Sequence, residues 1–245
     1  MVSIQRLSHS FDGRPVLREI DLEVPHGEIL AVMGSSGGGK TTLLRCVAGL
    51  LKPTEGIVLV DGIDVHRETE KARHKMGMVF QSAALFDYMT VHQNVMFGVE
   101  RWSEEPKSTH KQVVAEAIQM VGLDGNEELM PSELSGGMKK RVGIARALAL
   151  KPKLVLFDEP TTGLDPVTTY TIDRLIADVR DKLGITAILV SHDVSSVFRV
   201  ADRIAFLESG RLSFVGSADQ FVDARVEAIR ELVHKSQATE FLKSD

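Results

Sequence analysis

The stretch Gly34-Ser35-Ser36-Gly37-Gly38-Gly39-Lys40-Thr41 decides the fold that we expect for this chain. It follows an apolar run, residues 29–33, which indicates a buried strand. After it, apolar residues recur at helical spacing over 42–51, and Pro53 marks a stop. A strand, a glycine loop, Lys-Thr and a helix together form the context that a phosphate-binding P-loop requires. A plain glycine-rich turn is the alternative, and it suits a bare glycine triplet better than this full arrangement.

Each residue type in this stretch has a chemical reason. Glycines let consecutive backbone N–H groups turn inward around a phosphate, where a Cβ would obstruct them. The N-terminus of the following helix adds a partial positive charge. Lys40 is expected to reach the β- and γ-phosphates, the Thr41 hydroxyl to bind Mg²⁺, and Thr42 to complete the nucleotide-binding loop.

Length and composition narrow the class of protein. The chain has 245 residues, which suits one large domain or a core with a subdomain. Its net charge of −5 gives no electrostatic footprint for nucleic acid. The single cysteine, Cys46, falls on the apolar side of the P-loop helix, so we expect a reduced core residue and a reducing compartment. We expect no signal peptide, and since no apolar run approaches the ~18 residues of a membrane span, other chains must supply any spans.

The segments on either side of the P-loop offer two further candidates. Alternating apolar and polar residues ahead of it predict antiparallel strands. Phe11 falls on the connection between them, where it either packs locally or stacks on a nucleotide base. Further along, residues 78–80 predict a short buried strand that ends at Gln81. Gln81 is either a surface residue or an oxygen ligand that reaches Mg²⁺.

From Ser82 the pattern changes from α/β to helical. Thr90 and Gln93 predict a capping box for a helix through Phe97. A second helix is predicted up to Gly122. We therefore expect a single domain, 1–245, with a core of 1–82 and 138–216, a helical subdomain at 83–137 and a C-terminal helical tail at 217–245.

A second helix start that suits an anion follows this insert. Ser135 is a good N-cap, and Gly136-Gly137 exposes backbone N–H groups at the positive end of a helix predicted to run to about Leu150. An ordinary capped helix start is the alternative. The basic triplet that follows, Lys139-Lys140-Arg141, is expected to be a solvated face.

Acidic and histidine side chains follow two more apolar runs. Asp158 and Glu159 come at the carboxyl end of a predicted parallel strand, where ligands bind in open α/β sheets. Asp158 is expected in the Mg²⁺ shell and Glu159 as the group that polarises water, with an acidic turn as the alternative. His192 ends another strand on the same side, so we consider a γ-phosphate contact, although a lone histidine is more often structural. Asp165 is expected to cap a helix that starts at Pro166.

The tail carries an apolar stripe. Val222, Val226, Ile229 and Val233 fall at the spacing of one amphipathic helix. Packing against the core is the expected role of this stripe, and an interface with a partner is the alternative.

These motifs, in this order, resemble those of ABC transporter ATPases, and the resemblance covers nearly the whole chain. Phe11 corresponds to the A-loop of that family, 34–41 to Walker A, Gln81 to the Q-loop and Leu134-Ser135-Gly136-Gly137 to the signature. Residues 154–159 correspond to Walker B, Leu164-Asp165 to the D-loop and His192 to the switch histidine. Many NTPases share Walker A, whereas the signature at this spacing is close to diagnostic. The resemblance implies an α/β fold, a P-loop NTPase with a RecA-like core, an antiparallel β subdomain and an inserted helical subdomain.

The resemblance also implies how the site works. Two copies would pair head to tail around two ATP molecules, each held between the P-loop of one copy and Ser135-Gly136-Gly137 of the other. An integral membrane permease would place a coupling helix in the groove beside Gln81. The implied catalytic residues are Lys40, Glu159 as general base and His192 as γ-phosphate switch, and the implied metal ligands are Thr41, Gln81 and Asp158.

A finer resemblance concerns the transported substrate. Residues 84–91 and 129–138 look like the ATPases of Mla-type (MCE-associated) phospholipid transport systems, and Met138 stands where the family commonly has Gln. This implies a small regulatory subunit and an MCE substrate-binding protein as partners, and a place on the cytoplasmic face of the inner membrane. An importer of amino acids or another small solute is the alternative.

Two classes outside transport are less favoured. A soluble ABC ATPase of DNA repair or translation typically carries a long coiled coil or two sets of motifs, and this sequence has one set and no heptad run. A nucleotide sensor without hydrolysis conflicts with the presence of Glu159 and His192.

Overall fold

A computed structural model describes residues 1–236, which form ten strands and nine α-helices. The strands are β1 (Val2–Phe11), β2 (Arg14–Val24), β3 (Ile29–Gly34), β4 (Glu55–Val60), β5 (Ile63–Asp64), β6 (Met76–Val79), β7 (Leu154–Asp158), β8 (Thr186–Val190), β9 (Arg203–Glu208) and β10 (Arg211–Gly216). The helices are α1 (Lys40–Val47), α2 (Thr69–Arg73), α3 (Val91–Trp102), α4 (His110–Met120), α5 (Gly136–Leu148), α6 (Pro166–Leu183), α7 (Val194–Val200), α8 (Ala218–Val222) and α9 (Glu227–Ser236). No helix within these residues is long and apolar enough to cross a bilayer.

A six-stranded sheet brings the candidate site residues to one edge. Its order is β10-β9-β3-β8-β7-β6, with parallel neighbours except for the antiparallel pair of β9 and β10. The register aligns Val32, Val190 and Asp158 across β3, β8 and β7. Because these three neighbours are parallel, the segments that follow them leave the sheet at the same edge. The P-loop, Glu159 and His192 therefore meet there.

A second, antiparallel sheet covers the P-loop helix. Its order is β2-β1-β4-β5. Leu43, Leu44, Cys46 and Val47 of α1 pack in one apolar cluster with residues of both sheets. Burial raises the pKa of the Cys46 thiol to about 12, and Cys46 lies in the core as predicted. The helix is thus held between the sheets, with its N-terminus at the end of β3.

The segment between β6 and β7 is helical. The Thr90 hydroxyl accepts from the Gln93 N–H at 3.3 Å, and the Gln93 side chain accepts from the Thr90 N–H at 2.9 Å, so the predicted capping box is confirmed. Buried residues of α3, α4 and α5 share one apolar cluster with β7 and α6. Helix α5 therefore connects the helical segment to the sheet, and the predicted boundary at 137/138 lies inside this helix.

Several element bounds differ from the prediction. Strand β6 ends at Val79, and Phe80 lies outside it because its carbonyl closes a turn by accepting from the Ala83 N–H at 2.9 Å. Helix α3 continues past Phe97 to Trp102, since Val99 is buried in the same cluster. Helix α5 ends at Leu148, two residues before the predicted end.

The predicted C-terminal helix is two helices, and the single-helix prediction is wrong. Val226 lies in the break between α8 and α9, whereas Ile229 and Val233 are buried on α9. Tertiary packing outweighs the helical periodicity here, because Phe221 of α8 is fully buried against three other phenylalanine rings. The rest of the predicted tail, 237–245, lies outside the described residues.

Candidate nucleotide-binding site

The loop between β3 and α1 borders a cavity of about 580 Å³. This volume falls within the roughly 300–1,000 Å³ of small-molecule sites. The P-loop, the end of β7 and the end of β8 all contribute to its wall. Its lining residues are Val16, Gly34, Ser36, Gly37, Gly38, Gly39, Lys40, Thr41, Thr42, Glu159 and His192.

Two glycines let the P-loop backbone approach its neighbours closely. Gly34 has φ +145°, and a Cβ there would lie 2.1 Å from the carbonyl oxygen of Leu207. Gly39 has φ +101°, and a Cβ there would lie 2.8 Å from Leu17. Gly39 is also the N-cap of α1, and no side chain caps this helix end. The first N–H groups of α1 are thus left to an anion at the cavity.

Lys40 places a buried cation on this loop. Its side chain is 8% exposed, and its Nζ donates to the carbonyl oxygens of Gly34 and Ser35, both at 2.9 Å. Burial lowers the pKa of Lys40, and the charges of Glu159 and Asp158 oppose that shift. The ammonium therefore lies among acceptors that phosphate oxygens can replace.

Thr41 and Asp158 bring two oxygen ligands together beside the loop. Thr41 Oγ1 lies 3.3 Å from Asp158 Oδ1. Burial raises the pKa of Asp158, and the hydrogen bond from Thr41 opposes the shift. Within residues 1–236, no group of three or more His, Cys, Asp or Glu side chains is placed to hold a metal ion. A hydroxyl and a carboxylate suit Mg²⁺, which completes its shell with water and substrate phosphates.

Glu159 is held by contacts on both sides of its carboxylate. Its Oε2 accepts from Thr162 Oγ1 at 2.9 Å and from Gln81 Nε2 at 3.2 Å. Its Oε1 lies 3.4 Å from Nδ1 of His192. The backbone is left-handed, with φ +47°, and its N–H donates to Val190 O at 3.0 Å. Such strain in a non-glycine residue persists only where the surroundings hold it, and it concentrates at functional sites.

The second predicted anion-binding helix end is separate from this cavity. Ser135 Oγ accepts from the Met138 N–H at 3.2 Å, which confirms the predicted N-cap of α5. Gly137 packs so closely on α6 that a Cβ would lie 2.5 Å from Thr168. Asp165 caps α6 by accepting from the Thr168 N–H, and hydrogen bonds from Thr168 lower the pKa of Asp165. In the described part of the chain, the P-loop cavity is lined neither by residues 135–137 nor by Asp165.

Phe11 is the last residue of β1, paired with Arg14, and the prediction that it lies on the connection is wrong. Its ring is 46% exposed and meets His9 edge to face at 4.5 Å. Phe11 does not line the cavity within the described part of the chain, and neither does Gln81, whose amide nitrogen points at Glu159.

Three residues at or beside the site were not predicted from the sequence as site residues. Val16 of β2 lines the cavity, and only its place in the second sheet brings it there. Thr162 follows Glu159 by three residues, a spacing that could have indicated a turn contact. Lys140 was predicted to be solvated. This prediction is wrong, because the side chain is 6% exposed and its Nζ donates to the carbonyl oxygen of Gln81.

The fold and the loop define a P-loop nucleotide-binding protein with a second glycine-rich helix end. A family profile described as ABC transporter matches residues 17–162. The chain belongs to the ABC transporter family, as an ABC ATPase, a class whose ligands are ATP and Mg²⁺.

Relatives of this chain serve different transport systems. It is 42% identical over 219 residues to the methionine import ATP-binding protein MetN of Carboxydothermus hydrogenoformans, covering 86% of this chain and 65% of the relative. It is 39% identical over 229 residues to the intermembrane phospholipid transport system ATP-binding protein MlaF of Haemophilus influenzae, covering 92% of this chain and 87% of the relative. The chain thus spans less than two thirds of the length of the methionine relative.

A solved structure supports the fold. The dimeric post-hydrolysis state of the ATP-binding cassette MJ0796, bound to ADP and Pi, matches with a TM-score of 0.81 and 30% identity. The match covers 89% of this chain and 99% of that one. The predicted α/β P-loop fold is confirmed.

Proposed function

We propose that this chain is the ATP-hydrolysing subunit of a membrane transporter, and that two copies close around two ATP molecules. One observation carries the proposal: of the two glycine-rich helix ends that we expect to bind anions, only that of α1 borders the cavity within residues 1–236. A second copy, turned head to tail, would bring its Ser135-Gly136-Gly137 over the phosphates held by the first.

The surface beside α5 supports this pairing. Val167 and Tyr170 of α6 are 76% and 50% exposed, and they flank Thr168, which packs against Gly137. Exposed apolar side chains next to a binding feature indicate a surface that a partner covers. The cassette MJ0796, 30% identical to this chain, is dimeric in its solved post-hydrolysis structure.

The proposed chemistry follows from the contacts of Glu159. Its carboxylate takes a proton from water while the water oxygen attacks the γ-phosphorus, and the bond from that phosphorus to the bridging oxygen of ADP breaks. His192, 3.4 Å from this carboxylate, contacts the γ-phosphate, and Lys40 neutralises phosphate charge. Thr41, Asp158 and Gln81 would hold Mg²⁺, which would neutralise phosphate charge.

The remaining predicted contacts belong to the same proposal. Phe11 stacks on the base, and the P-loop glycines with Ser35, Ser36 and Thr42 cradle the phosphates. Asp165 lies at the face between the two copies. Residues 83–137 act as a helical subdomain on a core of 1–82 and 138–216, with the tail from 217 onward.

We further propose a phospholipid as the transported substrate. The support is the MlaF relative, together with the resemblance of residues 84–91 and 129–138 to Mla-type ATPases. The chain would bind the cytoplasmic face of an inner-membrane permease, with a regulatory subunit and an MCE protein in the same system. An importer of a small solute such as an amino acid is the second candidate, favoured by the methionine import relative.

Co-purification from membranes separates these two candidates. The full chain would be isolated with its permease, and the complex analysed for bound lipid and for solute-stimulated phosphate release. Bound phospholipid supports the first candidate, whereas stimulation by an amino acid, without bound lipid, supports the second.

Phosphate release by the full chain with Mg²⁺ and ATP tests the hydrolytic role. Glu159→Gln should lower kcat by about 100-fold or more, because a general base contributes roughly 10²–10⁴-fold. ATP affinity should stay within about threefold, because the phosphate contacts remain. Glu116→Gln, at an exposed position of α4, is the matched control. Unchanged turnover in Glu159→Gln removes Glu159 from this role, and a wild-type chain that releases no phosphate contradicts the proposal.

A further inference from the structure

Helix α5 carries a cation that is buried behind the proposed active site. The Lys140 side chain is 6% exposed, and its Nζ donates to the backbone carbonyl oxygens of Gln81 at 2.5 Å and of Glu159 at 3.4 Å. Burying an ammonium group is costly unless it is hydrogen-bonded or paired. Burial lowers the pKa of Lys140, and the charge of Glu159 opposes that shift. The fold therefore retains a costly charge at a position where it touches two site residues.

Lys140 holds one strained residue, Glu159, and the residue that precedes a strained turn, Gln81. Glu159 is left-handed, with φ +47°, and Gln81 leads into two left-handed residues, Ala83 at +61° and Ala84 at +46°. The carbonyl oxygens of these two alanines accept from Arg146 of the same helix, each at 2.7 Å. Non-glycine residues are disfavoured in this region, so they need such external contacts.

We propose that Lys140 is a positioning residue for ATP hydrolysis, which fixes the backbones of Glu159 and Gln81 against α5 and so sets the direction of the Glu159 carboxylate. The inference rests on the proposed function. Gln81 Nε2 also donates to that carboxylate at 3.2 Å. The Lys140 ammonium therefore positions the Glu159 carboxylate in two ways, through the backbone of Glu159 and through the backbone of Gln81.

Helix α5 carries both Lys140 and the Ser135 cap, so the Lys140 contact is linked to the proposed pairing of two copies. Helix α5 begins at the Ser135 cap, which the proposal places over the phosphates of the second copy. Any shift of α5 when the two copies pair would move the Lys140 ammonium, and with it the two carbonyls it holds. Lys140 thus connects closure of the pair to alignment of the base.

Lysine suits this role because its ammonium has three donors and reaches two carbonyls at once. Methionine has a similar length and no donor, so Lys140→Met removes both bonds with little change in volume. Glutamine keeps an N–H₂ group that can still donate. Lys139→Met, at the neighbouring half-buried lysine, is the matched control for loss of charge on α5.

The test compares these variants of the full chain for phosphate release, ATP affinity and amide hydrogen exchange in residues 80–86 and 158–163. Lys140→Met should lower kcat about 10- to 100-fold, since a misplacement of about 1 Å in a reacting group costs about 10² in rate. Its ATP affinity should stay within about threefold, and exchange should quicken in both segments. Lys140→Gln should recover part of kcat, and Lys139→Met should match the wild type.

Two results would overturn the inference. One is wild-type kcat and exchange in Lys140→Met. The other is an equal loss of kcat, ATP affinity and melting temperature in Lys140→Met and Lys140→Gln, which marks a purely structural residue. A wild-type chain that releases no phosphate would instead contradict the proposed function. In that case amide exchange still tests the role of Lys140, because unchanged exchange in Lys140→Met would show that Lys140 does not hold these backbone segments.

Discussion

Lys40 illustrates how single atoms control the proposed nucleotide site. Its ammonium lies between two loop carbonyls and close to the carboxylates of Asp158 and Glu159. Hydrogen bonds between an ammonium and an ionised acceptor are stronger than those to a neutral carbonyl. Phosphate oxygens should therefore take over the Lys40 donors when a nucleotide binds.

Replacing this lysine should weaken binding strongly. Lys40→Ala should raise the Kd for ATP in the presence of Mg²⁺ by about 10- to 100-fold, because a hydrogen bond to a charged group contributes about 1.5–3 kcal/mol. Isothermal titration calorimetry on the full chain measures this change, with the exposed Lys111→Ala of α4 as control. Wild-type affinity in Lys40→Ala would refute the P-loop interpretation.

The P-loop could be proposed from one local pattern, whereas the contacts of Lys140 and Gly137 with distant residues could not. All the features of the P-loop lie within one continuous stretch, so the local pattern contains the chemistry. The partners of Lys140 are carbonyls of Gln81 and Glu159, which are 59 and 19 residues away. The reason for glycine at 137 is the side chain of Thr168 on another helix. Such contacts depend on tertiary packing, which no local pattern encodes.

Among the elements, α7 has a buried charged contact that fixes it beside the site. Asp173 of α6 is 1% exposed, accepts from Ser196 Oγ, and pairs with Arg199 Nε at 3.0 Å. Helix α7 starts at its N-cap Asp193, directly after His192. The contact between α6 and α7 therefore helps to hold the backbone from which His192 projects.

This contact predicts a pH dependence of stability. Burial raises the pKa of Asp173 from 3.8 to about 6, against the opposing effects of Ser196 and Arg199. The folded state therefore binds a proton more tightly than the unfolded state. The stability that this gives is complete below about pH 4 and is lost as the pH rises through about 6.

Urea unfolding at pH 5 and pH 7 measures the effect. Asp173→Asn removes the titration, so its free energy of unfolding relative to wild type should rise by about 1 kcal/mol from pH 5 to pH 7. Any effect of the substitution that does not depend on pH adds a constant offset. Asp178→Asn, at an exposed position of α6, should follow the wild-type pH dependence. A constant difference between Asp173→Asn and wild type would contradict the raised pKa.

Elements with strong local signals were predicted well, and those shaped by packing were not. The caps at Thr90, Ser135 and Asp165 were all correct, because each satisfies backbone N–H groups within three residues. The C-terminal helix was predicted as one, since its valines keep helical spacing. Burial of Phe221 against distant rings determines the break instead.

In the molecule as a whole, the N-termini of α1 and α5 do not both border the P-loop cavity within residues 1–236, so we do not expect one chain to bring both to the same nucleotide. The α1 end borders the cavity, and the α5 end lies elsewhere on the same chain. Gly136 gives a clean way to disable the second end. It is exposed, and a Cβ there would approach only Leu164, at 3.4 Å. Aspartate at the first turn suits the helix but repels a phosphate.

Sedimentation of Glu159→Gln with Mg²⁺ and ATP tests whether two chains pair around the nucleotide. We expect this variant to sediment as a pair of chains with the nucleotide and as a single chain without it. Adding Gly136→Asp to the same chain should restore the single-chain mass at equal ATP occupancy. Single chains of Glu159→Gln in saturating ATP, or equal pairing with and without Gly136→Asp, would contradict closure of the α5 helix end over the partner's nucleotide.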